Sequence, residues 1–402
     1  MAASSSSSSS HYFTFKPTFI FHILPLIILT IPTQPAIGCY TSIFAFGDSL
    51  TDTGNYLHYS ISNNLTLPNY AYLPYGETYF HRPTGRCSDG RPIIDYIAQN
   101  LGLGFAPPYL DNGENNSSLN FEEGVNFAVV GASTMNAAFY REMGIENQYE
   151  NFSLGVQLGW FKEMLPSLCA NASSDCNKLL ESSLVLMGTI GGNDYDHSLT
   201  AGISLEEVES FVPIVVNTIA STINELIELG VVTLMVPGII PLGCTAANLA
   251  YYTNSTAEDY DPKTGCLTWL NKLSEYHNEL LQIELNRIRQ LHPHTTISYA
   301  DYYNAAMPLY LSPAKFGFTE GALTACCGGG GPYNYNSSVS CGSPTVTSCD
   351  DPSLYVNWDG LHYTEAAAKW ISEGLLFGPY TIPPLNTSCV SVAVTAESSN
   401  YD

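Results

Sequence analysis

Short apolar runs, each halted by a turn-forming stretch and followed by a helical pattern, recur along this chain. Ile43-Phe44-Ala45-Phe46 stops at Gly47-Asp48-Ser49-Leu50-Thr51-Asp52-Thr53-Gly54-Asn55, a turn that opens toward a helix. Residues 124–134 repeat the arrangement, with Gly131 where the strand ends and a positive φ would let the backbone approach a ligand closely. Ser183 to Ile190 ends in Gly191-Gly192-Asn193-Asp194, Val231 to Val236 ends in a turn over 238–244, and Thr295 to Tyr299 is a further strand. The runs are apolar throughout rather than alternating, the mark of parallel strands covered on both faces.

Between them apolar residues recur at helical spacing. Residues 93–101 form one helix, with Asp89 as N-cap and Gly102 as stop, and 157–168 another. A capping box, Ser204 to Glu207, precedes Val208, Val212, Val215, Ile219, Ile223 and Leu226 on one face, and Gly230 ends that helix. Residues 268–291 turn Leu273, Leu280, Leu281, Ile288 and Leu291 inward, with His277 a packing or surface residue, and Ala366 to Leu376 is the last helix. Strand and helix alternate without internal repeat, which predicts one α/β domain over residues 39–380, a three-layer α/β/α stack around a parallel sheet. Ligands bind such sheets beyond the carboxyl ends of the strands. Ser49, Gly131 and Asn193 each follow a strand, so they converge on one sheet edge. A hydroxyl there lies among free backbone N–H groups that favour developing negative charge.

The ends read differently. Residues 1–38 carry a Ser run, Lys16, an apolar core from Phe19 to Ile31 and small residues Ala36-Ile37-Gly38, the pattern of a cleaved signal peptide. A transit peptide fits less well for lack of Arg, and Gly38-Cys39 matches a bacterial lipoprotein site poorly because of Ala36. Residues 381–402 show no periodicity and read as a loose tail. The 402 residues are 45% hydrophobic, ample for one large core. A net charge of −24 disfavours nucleic acid and anionic membrane as partners. Sequons at Asn64, Asn115, Asn116, Asn151, Asn171, Asn254, Asn336 and Asn386 fit passage through the secretory pathway, to the cell exterior or the vacuole. So do the 11 Cys: the pair Cys169/Cys176 and the cluster Cys326, Cys327, Cys341, Cys349 suit disulfides, the latter pinning a loop over 326–352. No Cys cluster has His at zinc-ligand spacing. The odd count leaves at least one thiol unpaired or bonded to another chain. Residues 56–120 are dense in Tyr, Pro, Gly and Asn, with loops at 73–77 and 82–86 able to line a cleft or simply to cover the surface.

A serine becomes nucleophilic beside a base that is itself oriented by a third group. Asp359-Gly360-Leu361-His362 puts carboxylate and imidazole in one loop ahead of a helix, so Asp359 can bind Nδ1 and leave Nε2 for Ser49. With Phe46-Gly47-Asp48-Ser49-Leu50, Asn126-Phe127-Ala128 through Gly131, and Gly191-Gly192-Asn193-Asp194, it completes four blocks in order. In these blocks, over nearly all of the mature chain, the sequence resembles the GDSL esterase/lipase family of the SGNH hydrolase superfamily, in its secreted plant branch. The resemblance implies a flavodoxin-like α/β/α fold and ester hydrolysis without a cofactor. It further implies Ser49 as nucleophile, His362 as base and acid, Asp359 as orienting carboxylate, and an oxyanion hole of the Ser49 and Gly131 N–H groups with the Asn193 side chain. Pro74-Tyr75-Gly76-Glu77, Arg82 to Cys87 and Cys326-Cys327-Gly328 through Asn336 are similar to acetylajmalan-esterase and sinapine-esterase-like members, which implies a short or phenolic acyl group on a specialised metabolite. An acyltransferase would use the same residues, a long-chain lipase would need a lid, and a binding or defence protein would not need the triad.

Overall fold

The computed structural model describes residues 40–111, 123–145, 150–171 and 176–387. The proposed signal segment, Asn115, Asn116 and the tail beyond 387 lie outside the described residues. In chain order the elements are β1 (Ser42–Phe46), α1 (Asn55–Ser62), α2 (Ile93–Asn100), β2 (Gly124–Asn126), α3 (Ala137–Glu142), α4 (Leu154–Asn171), α5 (Cys176–Glu181), β3 (Ser183–Met187), α6 (Gly192–Thr200) and α7 (Leu205–Glu228). They continue with β4 (Thr233–Pro237), α8 (Ala246–Tyr251), α9 (Thr268–Leu291), β5 (Thr296–Ala300), α10 (Tyr302–Leu311), β6 (Gly321–Ala325), β7 (Tyr355–Asn357), α11 (Glu365–Leu376) and β8 (Thr381–Ile382).

The main sheet has the order β2-β1-β3-β4-β5-β8, parallel from β2 through β5. Every residue of β1, β3 and β4 is buried, as their unbroken apolar runs require. α7 packs against α4, α6 and α9, and α11 against α2 and α10, so the helices form the two groups that cover the sheet. α7 is long and apolar enough to cross a membrane by composition, but its apolar face is buried in this core. The strand order is the flavodoxin-like one, and the chain reverses direction of winding between β1 and β3, where such folds open a crevice. Ser49 follows β1 and Asn193 follows β3.

The structure departs from the sequence-based expectation in two places. Asp89 does not cap α2, whose preceding residue is Pro92; its carboxylate instead accepts the Glu365 N–H at 2.7 Å, at the start of α11. α1 begins at Asn55, at the end of the turn read from the sequence, after Asp48 to Asp52 close its first part. The segment after residue 380 is not loose at its start: β8 pairs antiparallel with β5, and Leu385 is buried. A two-residue strand is too short to show periodicity.

Candidate active site

The chain leaves β1 through Gly47, whose φ is 149° and where a Cβ would stand 2.7 Å from the Thr189 carbonyl oxygen. Only glycine lets the turn lie this close to the end of β3. The side chain of Gln157 on α4 accepts the Gly47 N–H and donates to its carbonyl, both at 2.8 Å. Asp48 accepts from the Leu50 N–H (3.0 Å) and from the Thr189 hydroxyl (2.9 Å), so it braces the turn. Ser49 is thereby presented at the cleft with its hydroxyl outward, and among the described residues its own N–H donates to no protein acceptor.

The candidate base, His362, arrives from the far end of the chain. β7 runs into Trp358, and the Trp358 N–H donates to the His362 carbonyl at 2.8 Å, closing residues 358–362 into a tight loop. Within it Asp359 Oδ1 accepts the Leu361 and His362 N–H groups (3.1 and 3.0 Å). Its carboxylate meets His362 Nδ1 at 2.8 Å, and His362 Nε2 lies 2.7 Å from Ser49 Oγ. Disulfides Cys326–Cys349 and Cys327–Cys341 staple the neighbouring loop, and the Cys327 N–H donates to the Trp358 carbonyl at 2.8 Å. A third bridge, Cys244–Cys266, closes the turn that the sequence marked only as a turn, Cys169 is also disulfide-bonded, and Cys87 is a buried free thiol.

Asn193 sits in the first turn of α6, after Gly191 with φ 111°. Its Nδ2 donates to the Ala132 carbonyl at 2.9 Å, which ties it to the loop carrying Gly131 (φ 74°). That loop is held from two sides. Asp194 accepts from the Thr134 and Met135 N–H groups (2.7 and 2.9 Å), and Asp52 from the Val130 N–H (2.9 Å) as well as from Gly54 and Asn55 at the start of α1. Ser49, Asn193 and His362 face one cleft of about 730 Å³. Gly131 is buried and adjoins Ala132, whose carbonyl accepts the Asn193 Nδ2 bond.

The sequence missed Tyr75. Its hydroxyl donates to Asp359 Oδ2 at 2.7 Å while its ring packs edge-on against Trp358. Tyr75→Phe should lower kcat by roughly tenfold or more, since a hydrogen bond to a charged group is worth about 1.5–3 kcal/mol. Asp359 would then attract the imidazolium more strongly, so the acid limb of the kcat/KM profile should move to higher pH. An unmoved limb would show that Tyr75 only packs.

Burial drives the ionisation of the site. It pulls the His362 pKa down, but the Asp359 charge and hydrogen bond, with Asp48's charge, outweigh it and the net shift is upward. Burial likewise raises Asp359, and His362 with Tyr75 brings it below the usual carboxylate value. Burial pushes Asp48 up to about 7, and Asp52, Asp89 and Asp194 to about 6, against hydrogen bonds that work to lower each. These folded carboxyls bind protons more tightly than unfolded ones, so their contribution is fullest at low pH and is lost as pH rises through about 6–7. The melting temperature should therefore be higher at pH 5 than at pH 8. An equal or lower value at pH 5 would contradict this. If His362 is to accept a proton, activity should instead fall as pH drops below its raised pKa.

A flavodoxin-like sheet, a serine hydroxyl on an imidazole and carboxylate, and amide donors at the adjoining strand end define a class: a hydrolase of carboxylic esters working through serine. The chain belongs to the GDSL-like lipase/acylhydrolase family, whose model matches residues 43–375. It is 51% identical to a GDSL esterase/lipase of Arabidopsis thaliana, over 94% of this chain and 95% of that protein. It is 53% identical to another from the same plant, over 91% of each, and 47% identical to the sinapine esterase of Brassica napus, over 93% of this chain and 95% of that one.

Proposed function

We propose that Ser49, His362 and Asp359 act as a catalytic triad in a secreted esterase that removes a short or phenolic acyl group from a plant specialised metabolite. The distance of 2.7 Å between His362 Nε2 and Ser49 Oγ, with Asp359 on Nδ1, carries this reading. His362 takes the hydroxyl proton as Ser49 attacks the ester carbonyl, and the oxyanion forms against the Ser49 and Gly131 N–H groups and the Asn193 amide. His362 then protonates the leaving alcohol. Water, activated by the same imidazole, attacks the acyl-enzyme and releases the acid. No cofactor enters this cycle. An alkyl fluorophosphonate should add one mass to the Ser49 peptide of the native enzyme; labelling elsewhere, with activity lost, would refute the assignment.

On this reading of the acyl group, 4-nitrophenyl acetate should be turned over faster than the palmitate. A preference for palmitate would make the protein a long-chain lipase. Residues 1–38 act as a signal peptide and direct the chain to the cell exterior or vacuole, without stable membrane association afterwards. Asn64, Asn151, Asn254 and Asn386 are exposed, and Asn336 is half-buried at the cleft. Protein purified from a plant host should begin near Cys39 and lose mass on enzymatic deglycosylation; an intact N-terminus without glycan would refute secretion.

A further inference from the structure

Three consecutive side chains in the first turn of α6 leave the helix about 100° apart, and each is tied down separately. Asn193 faces the cleft and donates to the Ala132 carbonyl. Asp194 takes the Thr134 and Met135 N–H groups and the Tyr140 hydroxyl, the last at 2.8 Å. Tyr195 is wholly buried and shares a hydrogen bond of 2.7 Å with Nδ1 of His277 on α9, the two rings edge-on. The first two fasten α6 to the loop over 132–135, and the third fastens it to α9. The same imidazole also supports the turn that starts the helix. A Cβ on Gly191, whose φ is 111°, would stand 3.0 Å from His277 Cε1. The ring therefore lies against the residue two before Asn193.

Packing alone does not account for a histidine here. His277 is 0% exposed, and its Nε2 meets no partner among the described residues. A buried ring nitrogen without a hydrogen bond is a cost that a leucine in its place would not carry. Burial holds the imidazole neutral, down to about 3, so it brings no charge to the cleft. What it supplies and leucine cannot is one directed bond, the one to Tyr195. Other polar residues of α9 act in the same way on the loop after β4. Asn271 accepts the Gly243 N–H at 2.8 Å, and Asn278 holds both backbone groups of Ile239 at 2.8 and 3.0 Å. α9 thus pins the chain beyond both β3 and β4.

We infer that His277 is a positioning residue: through Tyr195 and Gly191 it sets the rotation of α6, and so the aim of the Asn193 amide at the oxyanion. This rests on the oxyanion reading of Asn193, which Asn193→Ala tests by itself. Tyr195→Phe, nearly isosteric, and His277→Leu should each lower kcat on 4-nitrophenyl acetate by roughly tenfold or more, with KM within about twofold. A misplaced donor forfeits part of the roughly 10²–10³ that a well-placed one supplies. His277→Asn, which returns a polar atom near the Nδ1 position, should recover most of the loss. In the Asn193→Ala background Tyr195→Phe should cost less than about twofold, because the group it aims is gone. An unchanged kcat in Tyr195→Phe, or an equal loss in both backgrounds, overturns the inference. Should His277→Leu fail to fold, Tyr195→Phe decides alone. If Asn193→Ala keeps wild-type kcat, or no ester is hydrolysed, the catalytic reading fails instead, and a crystal structure of Tyr195→Phe decides. Asn193 Nδ2 displaced from the Ala132 carbonyl supports the role of His277, and a bond kept at 2.9 Å overturns it.

Discussion

Ser49→Ala should lower kcat on 4-nitrophenyl acetate by roughly 10⁴-fold or more, the scale of losing a serine nucleophile in a triad. The protein should remain folded. The Ser49 hydroxyl bonds only to His362 Nε2 among the described residues. The turn that presents it is held by Gln157 on Gly47, by Thr189 on Asp48 and by the Thr51 and Asp52 N–H groups on the Asp48 carbonyl, none of which involves Ser49 Oγ. The change in stability should stay within about 0.5 kcal/mol, as for a side chain outside the core. His362→Ala should cost nearly as much activity, and the double variant little more, because the two groups act as a unit. Wild-type turnover by purified Ser49→Ala would falsify the nucleophile assignment. Additive losses would show that His362 and Ser49 do not share one proton transfer.

The parts of the site that were legible in the sequence are local. Asp359 and His362 stand three residues apart in one loop, and Ser49 and Asn193 each follow an apolar run whose glycine marks the strand's end. What braces them was not legible, because its partners are remote. Tyr75 meets Asp359 across 284 positions, Gln157 meets Gly47 across 110, and Asp52 meets Val130 across 78. No periodicity encodes such pairs; they arise only when the sheet brings loops together. Asp89 shows the same thing from the other side. A carboxylate just upstream of a helical pattern reads as that helix's cap, yet Pro92 occupies that place and Asp89 reaches α11 instead. The fold was clearer than the bracing because five buried parallel strands demand five apolar runs. The antiparallel β8, two residues on the sheet edge, leaves no such signature.

The same remote bonds set the working conditions. Asp48, Asp52 and Asp194 fix the loops after β1, β2 and β3 by accepting backbone and side-chain hydrogen bonds in burial. Their raised pKa values favour the fold in acid, while the proposed base, His362, must lose its proton to act. The two demands oppose each other around neutrality, so the activity optimum should lie on the alkaline side of the stability optimum.

Asn193→Ala should lower kcat by about 10²–10³, or 2.7–4 kcal/mol, with KM little changed. The amide carries two N–H donors. One is used on the Ala132 carbonyl, which fixes the plane of the group; the other is the donor proposed for the oxyanion. Because the oxyanion exists only as the ester carbonyl becomes tetrahedral, its loss raises the barrier without weakening ground-state binding. The structural cost is one hydrogen bond, about 1 kcal/mol, since Asp194 still holds the facing loop through Thr134 and Met135. Asn193→Asp should be worse than alanine. It is nearly isosteric, yet replaces a donor with a negative charge where negative charge must develop, close to the Asp48 carboxylate that lines the same cleft. Steady-state kinetics on 4-nitrophenyl acetate tests both. If alanine leaves kcat within threefold of wild type, the oxyanion is held without Asn193. If aspartate outperforms alanine, the side chain positions the loop rather than the charge.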